Sequence, residues 1–463
     1  MHSRRHFIRS AAITTVGFMG LRALAGEKLL HGVSSGGAGY GPLMDDPHGL
    51  IRLPKGFSYT AFSHMGEEMA DGFLVPGMHD GMGAFAGPDG ETLLVRNHEL
   101  ESRFVGKGPY GPKHERFVKM PDDKIYDRGK GIAPNIGGTT TIVFNTRTQK
   151  MERHFLSLAG TVRNCAGGPT PWGTWVTCEE MNHEPEPDAE KAHGYNFEVS
   201  PSVEPGLVTP VPLKAMGRFR HEAIAVDENS GAVYETEDAG DGLLYRFLPH
   251  EKQNLAAGGR LQALALVDER ITDTRNWTEH QFPVGRPLAV RWIDLDDPES
   301  PLNDLRIRGV AAGAVPFARG EGAWTGEDGV YFAMTSGGKK LKGQIFRYVP
   351  SPFEGTERER EEPGKLELYL EPDDADILSN GDNIAIAPWG DLLICEDTDK
   401  HCRLLGVTPK GEIYSIAENV TPKRELAGCC FSPDGTTLFF NVQTPGYTVA
   451  ITGPWAQAAH RQM

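Results

Sequence analysis

Asn383-Ile384-Ala385-Ile386-Ala387-Pro388-Trp389-Gly390-Asp391-Leu392-Leu393-Ile394-Cys395-Glu396-Asp397 reads as one strand, a tight turn, a second strand and an acidic end. β-Branched and apolar residues fill the two runs, and Pro, Gly and Asp fill the turn, which is the pattern of an antiparallel hairpin. The phrase recurs. It runs from Gly83 through Pro88-Asp89-Gly90 and Leu93-Leu94-Val95 to Asn97-His98-Glu99, and again from Ala223 to Asp227 and Gly231 to Tyr234, ending Thr236-Glu237-Asp238. A further copy is Cys430-Phe431-Ser432-Pro433-Asp434-Gly435 followed by Leu438-Phe439-Phe440-Asn441; shorter relatives span Pro171 to Glu180 and Gly322 to Phe332.

Hairpins repeating at intervals of tens of residues are the sequence form of a β-propeller, in which small sheets stand radially around a channel. The expected fold is therefore all-β, a propeller of about six blades with loop insertions that make the spacing irregular. A β-sandwich with long loops is the alternative. In a propeller, residues at one place in successive copies meet at one place around the axis. The acids ending several copies would then converge, and carboxylates so crowded resist ionising together unless cations hold them. Asp89-Gly90 and Asp434-Gly435 read as turns, and Trp172, Trp175, Trp324 and Trp389 as packing between blades.

The chain has 463 residues and a formal net charge of −16. That balance argues against nucleic acid, whose binding relies on Lys and Arg, and an acidic protein handling a phosphorylated substrate would need bound cations to invert the local field. Ser3-Arg4-Arg5-His6-Phe7-Ile8-Arg9, the apolar run from Ala11 to Leu21 and Ala23-Leu24-Ala25 form a twin-arginine export signal, residues 1–25. The expectation is a single domain over 26–463, exported by the twin-arginine machinery to the periplasm or beyond. No later run is long enough to anchor it stably in a membrane, and the mean hydropathy of −0.38 agrees. Six cysteines would ordinarily suggest disulfides in that compartment. Adjacent Cys429 and Cys430, on opposite faces of one strand, cannot share a bridge.

Several blocks in order are similar to the PhoX alkaline phosphatases: His79-Asp80-Gly81-Met82, Arg96-Asn97-His98-Glu99, Asn164-Cys165-Ala166-Gly167-Gly168 with Cys178-Glu179-Glu180, Gly217 to Ala223, Thr236 to Gly242, Arg319 to Trp324, Asp382-Asn383 and Cys395-Glu396-Asp397. The resemblance implies hydrolysis of phosphate monoesters at a cluster of iron(III) and calcium ions in the propeller channel. It implies Cys165 as a thiolate ligand of iron, with Glu222 and Glu321 serving the same cluster, and Asn97 and Arg319 as contacts of the phosphate. For calcium it supplies Glu99, Glu180, Glu237, Asp238, Asp241, Asp382, Glu396 and Asp397 as candidates. His79, His98 and His221 are either orienting donors or buried structural residues. Two other readings remain at this stage: a calcium-dependent propeller lactonase or phosphotriesterase, which needs no thiolate, and a non-catalytic calcium-binding propeller.

Overall fold

The computed structural model describes residues 38–181, 189–422 and 424–455; the export signal expected at 1–25 lies outside them. Two short strands, β1 (Leu43–Met44) and β2 (Ile51–Pro54), and then β3 (Ser58–Phe62) precede a series of antiparallel units. The first unit is β4 (His79–Ala86), β5 (Glu91–His98), β6 (Gly137–Asn145) and β7 (Lys150–Thr161); the second is β8 (Asn164–Pro169), β9 (Trp175–Glu179) and β10 (Asn196–Val199). Then come β11 (His221–Val226), β12 (Val233–Glu237), β13 (Leu244–Pro249) and β14 (Gly259–Leu266). β15 (Leu288–Asp294) is followed by the helix α1 (Leu305–Ala311) and a fourth unit, β16 (Gly320–Gly326), β17 (Gly329–Met334), β18 (Gln344–Val349) and β19 (Lys365–Leu370). β15 pairs with both β14 and β19, welding the outer edges of the third and fourth units into one sheet.

The fifth unit is β20 (Gly381–Ile386), β21 (Leu392–Glu396), β22 (Arg403–Val407) and β23 (Ile413–Asn419), extended at its rim by β2 and β1. The sixth is β24 (Leu426–Phe431), β25 (Thr437–Val442) and β26 (Tyr447–Thr452). Its fourth strand is β3, brought from the other end of the chain to pair antiparallel with β26.

The opening strands β4, β8, β11, β16, β20 and β24 each pack on the next, and β24 packs on β4, so the arrangement is propeller-like and closed on itself. Closure leaves no central edge for another chain to pair with. The strands are buried on both faces and read as nearly continuous apolar runs, such as Leu392–Glu396 and Leu426–Cys430. Between units lie separate apolar cores. Trp324 packs against three of them, and Trp389 stacks on Trp455, so the tryptophans are packing residues. Asp434 accepts from Ser432 and Thr436 within its turn. All six thiols are free. Among the described residues no helix is long and apolar enough to cross a membrane.

Candidate metal centre at the channel mouth

Each of the six opening strands carries a register shift near its start against its partner strand: between His79 and Met82, Asn164 and Gly167, His221 and Ile224, Gly320 and Ala323, Gly381 and Ile384, and Ala427 and Cys430. A β-bulge frees a side chain from the pleat and re-aims it. The first bulge residue in chain order is Asp80, Cys165, Glu222, Glu321, Asp382 and Gly428. The next is Gly81, Ala166, Ala223, Gly322, Asn383 and Cys429, and these six line one narrow cavity in the channel. Small residues are required there. A Cβ on Gly81 would lie 2.6 Å from the Ala166 Cα, and one on Gly428, at φ +62°, would lie 2.4 Å from the Asp80 carbonyl oxygen.

The five functional side chains of the upper tier meet. Asp80, Glu99 and Cys165 offer ligand atoms within 4.8 Å of one another, as do Cys165, Glu180 and Glu222, and again Glu222, Glu321 and Asp382. Cys165 and Glu222 are shared, so the three groups form one cluster. Glu99, Glu180, Asp238 and Asp397 follow directly after β5, β9, β12 and β21 and form a second tier; Thr335 and Gln443 hold that place after β17 and β25. Gln443 donates to Asp80 (3.1 Å) and to Glu99 (3.0 Å).

Crowding and burial govern the charges. Burial, then Glu180 and Asp382, hold the Glu222 carboxyl well above the ordinary range, and burial, then Asp80 and Glu222, push up the Cys165 thiol. Burial and Asp397 raise Asp382 to about 7. Burial raises Glu180 to about 8 although Arg163 opposes it. Asp80 and Glu321 are held up in the same way. Asp238 goes the other way: burial is outweighed by Arg319, and its carboxyl lies below the usual value. Both oxygens of Glu222 are buried and meet no hydrogen-bond donor among the described residues. A buried carboxylate without donors is costly. The donor set, buried carboxylates beside a thiol, therefore fits cations.

Other residues expected at the site stand apart from it. Glu237 accepts from the Leu243 amide (3.1 Å) and the Tyr245 hydroxyl (2.8 Å). Glu396 accepts from the Ser379 amide (2.8 Å) and from the Arg403 amide and guanidinium. Both are the last residues of their strands, and their oxygens are spent on neighbouring loops. Glu179 does likewise, accepting from Val162, Gly194 and Tyr195 amides and from His193. Asp241 is exposed and paired with Arg306 (2.9 Å). Asn97 is wholly buried; its amide donates to the Cys165 (3.0 Å) and Ala166 (2.6 Å) carbonyls and accepts from the Trp175 indole (2.9 Å). Those bonds consume both amide hydrogens, so Asn97 holds the Cys165 strand in place and has no donor left for a phosphate. His98 bonds the Gly77 carbonyl and His221 the Gly217 carbonyl, bracing roles both.

Residues the sequence reading passed over also belong here. Asp80 stood in a quoted motif without a role. Glu425 precedes β24 and is half-buried; its carbonyl accepts from the amide of Gln443, the residue that donates to Asp80 and Glu99, and its carboxyl is held up by burial, Asp80 and Asp382. Arg163 bridges Glu99 and Glu180; Arg220 bridges Glu180 and Asp238. Arg319, which the resemblance had already marked, grips both oxygens of Asp238 (2.7 and 2.9 Å) and reaches Glu321 (2.9 Å).

Fold and site together define an all-β, propeller-like protein whose channel mouth gathers buried carboxylates and a thiol under a rim of arginines, a class suited to holding cations. The sequence matches the family model described as alkaline phosphatase PhoX over residues 38–446. The chain belongs to the PhoX family of metal-dependent phosphatases. Among solved structures it is similar to Pseudomonas fluorescens PhoX in complex with vanadate, a transition state analogue, with 19% identity and a TM-score of 0.64, covering 90% of this chain and 97% of that one. A gluconolactonase from Xanthomonas campestris aligns at 12% identity and a TM-score of 0.37, covering 92% of this chain and 100% of the other. Among curated proteins, none matches significantly in sequence.

Proposed function

We propose that this protein is an exported phosphomonoesterase, a six-bladed propeller over residues 26–463 that works with calcium and iron(III). The observation that carries the reading is Glu222: two buried carboxylate oxygens without donors, beside a thiol and three further acids. Cys165, Glu222 and Glu321 would hold iron, and Asp80, Glu99, Glu180, Asp382, Asp397 and Glu425 would hold calcium. When bound, the cations supply the positive charge that the phosphoryl oxygens need in an in-line displacement. Arg319, clamped side-on by Asp238, keeps its Nη1 free of protein partners among the described residues and is half-exposed at the mouth, so it takes a phosphoryl oxygen. Asn97 fixes the backbone that carries the thiol, and the small residues beneath the cluster exclude bulk water from the channel side.

The vanadate bound to the Pseudomonas protein supports phosphoryl chemistry on this fold. A thiol at the centre weighs against the lactonase reading, which has no use for one. The test is metal analysis of purified protein alongside turnover of p-nitrophenyl phosphate, with chelation and readdition of calcium. Iron and calcium together, with turnover that chelation abolishes and calcium restores, are expected. Protein loaded with both metals but inert toward monoesters would refute the reaction.

A further inference from the structure

The rim of the mouth is electrically lopsided. Arg163, Arg220 and Arg319 stand two residues before the first bulge residue of three consecutive units, those of β8, β11 and β16, whereas Asn380, Leu426 and Met78 hold that place in the other three. The arginines form one arc through shared acids. Arg163 and Arg220 meet the two oxygens of Glu180, and Arg220 and Arg319 meet the same oxygen of Asp238, Oδ2, at 3.1 and 2.9 Å. Asp80, Asp382, Asp397 and Glu425 make no ion pair with these arginines among the described residues, although Arg319, acting through space, opposes the burial that raises the carboxyls of Asp382 and Asp397.

Arg220 differs from its neighbours in how it spends its donors. Its two acid contacts both use Nη2; among the described residues no acceptor meets its Nε or Nη1, and 37% of its side chain is exposed. Glu180, which shares its charge with Arg163 and Arg220, is also part of the candidate cation cluster. Carboxylate charge turned toward cations is charge withdrawn from the arginines, and Arg220, with both Nε and Nη1 open where Arg319 has Nη1 alone, is left to meet a further anion.

We infer that Arg220 is a specificity-determining residue, reading a second phosphoryl group joined to the one that Arg319 and the cluster hold, so that the site favours phosphoanhydrides over simple monoesters. The two guanidiniums converge on one carboxylate oxygen, which keeps their donors close enough together to serve two linked groups of one molecule. This rests on the phosphatase reading above, and its test does not depend on turnover.

The experiment measures calorimetric binding of pyrophosphate and of inorganic phosphate to the metal-loaded protein, for the wild type, Arg220→Gln and Arg220→Lys. Wild type should prefer pyrophosphate by at least tenfold. Because cations alone also favour pyrophosphate, the deciding quantity is the change in that ratio: Arg220→Gln should cut it by roughly tenfold and Arg220→Lys by less. A wild type without preference, or an Arg220→Gln protein with the wild-type ratio, including one in which both affinities fall equally, overturns the assignment. Selective pyrophosphate binding by a protein that turns over no monoester would leave the anion site standing and sink the proposed reaction instead.

Discussion

Replacing Asp382 by Asn should change stability in opposite directions with and without cations. Asp382 sits on the β20 bulge, accepts from the Asn383 amide at 2.8 Å, and carries a carboxyl raised by burial, then Asp397, from 3.8 to about 7. In protein stripped of metal, the folded state holds this proton more tightly than the unfolded chain. Stability from that preference is complete below pH 3.8 and is lost as the pH climbs through about 7. The displacement corresponds to about 4 kcal/mol at about 1.4 kcal/mol per decade of proton affinity; sharing with Asp397 brings the expected gain from Asn to roughly 2–4 kcal/mol at pH 8. A domain of this length unfolds with an entropy near 0.9 kcal/mol per degree, so stripped Asp382→Asn should melt about 2–4 °C above stripped wild type at pH 8 and level with it at pH 4. Loaded with calcium and iron the order reverses, because a ligand that binds only the native state stabilises it by mass action and Asn weakens that binding. Melting followed by circular dichroism in chelator and in metal buffer decides the matter. Destabilisation in both states would show that Asp382 is a structural acid and that crowding does not govern this cluster.

Cys165→Ala should strip iron and its thiolate-dependent colour, and lower turnover by a hundredfold or more, while moving the melting temperature little; retained iron by metal analysis would make the thiol a filler. Asn97→Ala leaves two carbonyls and an indole without partners in a buried place and should cost about 2–4 kcal/mol, read by denaturant unfolding. His193 is drawn up to about 9: burial would lower it, but Glu179 and then Asp127 prevail. Its contribution of roughly 3 kcal/mol is therefore complete below about pH 6.5 and is lost as the pH rises through 9, so the drop in stability between pH 7 and 10 should shrink in His193→Gln. Arg4→Lys with Arg5→Lys should leave precursor in the cytoplasm, read by fractionation, because the export receptor reads the paired guanidiniums.

The hairpin phrase was legible in the sequence because it is local, and so was the convergence of acids that end second strands. What the phrase does not reveal is which acid of a doublet faces the channel. Glu179-Glu180, Glu237-Asp238 and Glu396-Asp397 are each two carboxylates at one strand end, and in every pair the first braces a loop while the second turns to the mouth. Side chains alternate across a strand, so only the register decides. His98-Glu99 follows the same rule, and aligning the four doublets would have found it. The bulge residues do not follow from the repeat: four of the five came from the resemblance, and Asp80 stood in a shared motif without a role. Asp80, Cys165, Glu222, Glu321 and Asp382 are separated by insertions of unequal length, such as the stretch carrying β15 and α1. Asn97 stands in a shared motif yet serves the backbone, a role that only its hydrogen bonds disclose.

The strand β3 waits for a partner almost four hundred residues further along the chain. Its sheet is completed by β26, and the ring of opening strands lacks its sixth member until β24 has been synthesised. Until then Asp80 and Asp382 have a gap between them, and the cluster is an open bay with one wall missing. A pocket built this way is complete only when strands from both ends of the described chain are in place. Closure of the ring and completion of the acid cluster are one and the same condition, with the two ends of the described chain fastened side by side in the last sheet.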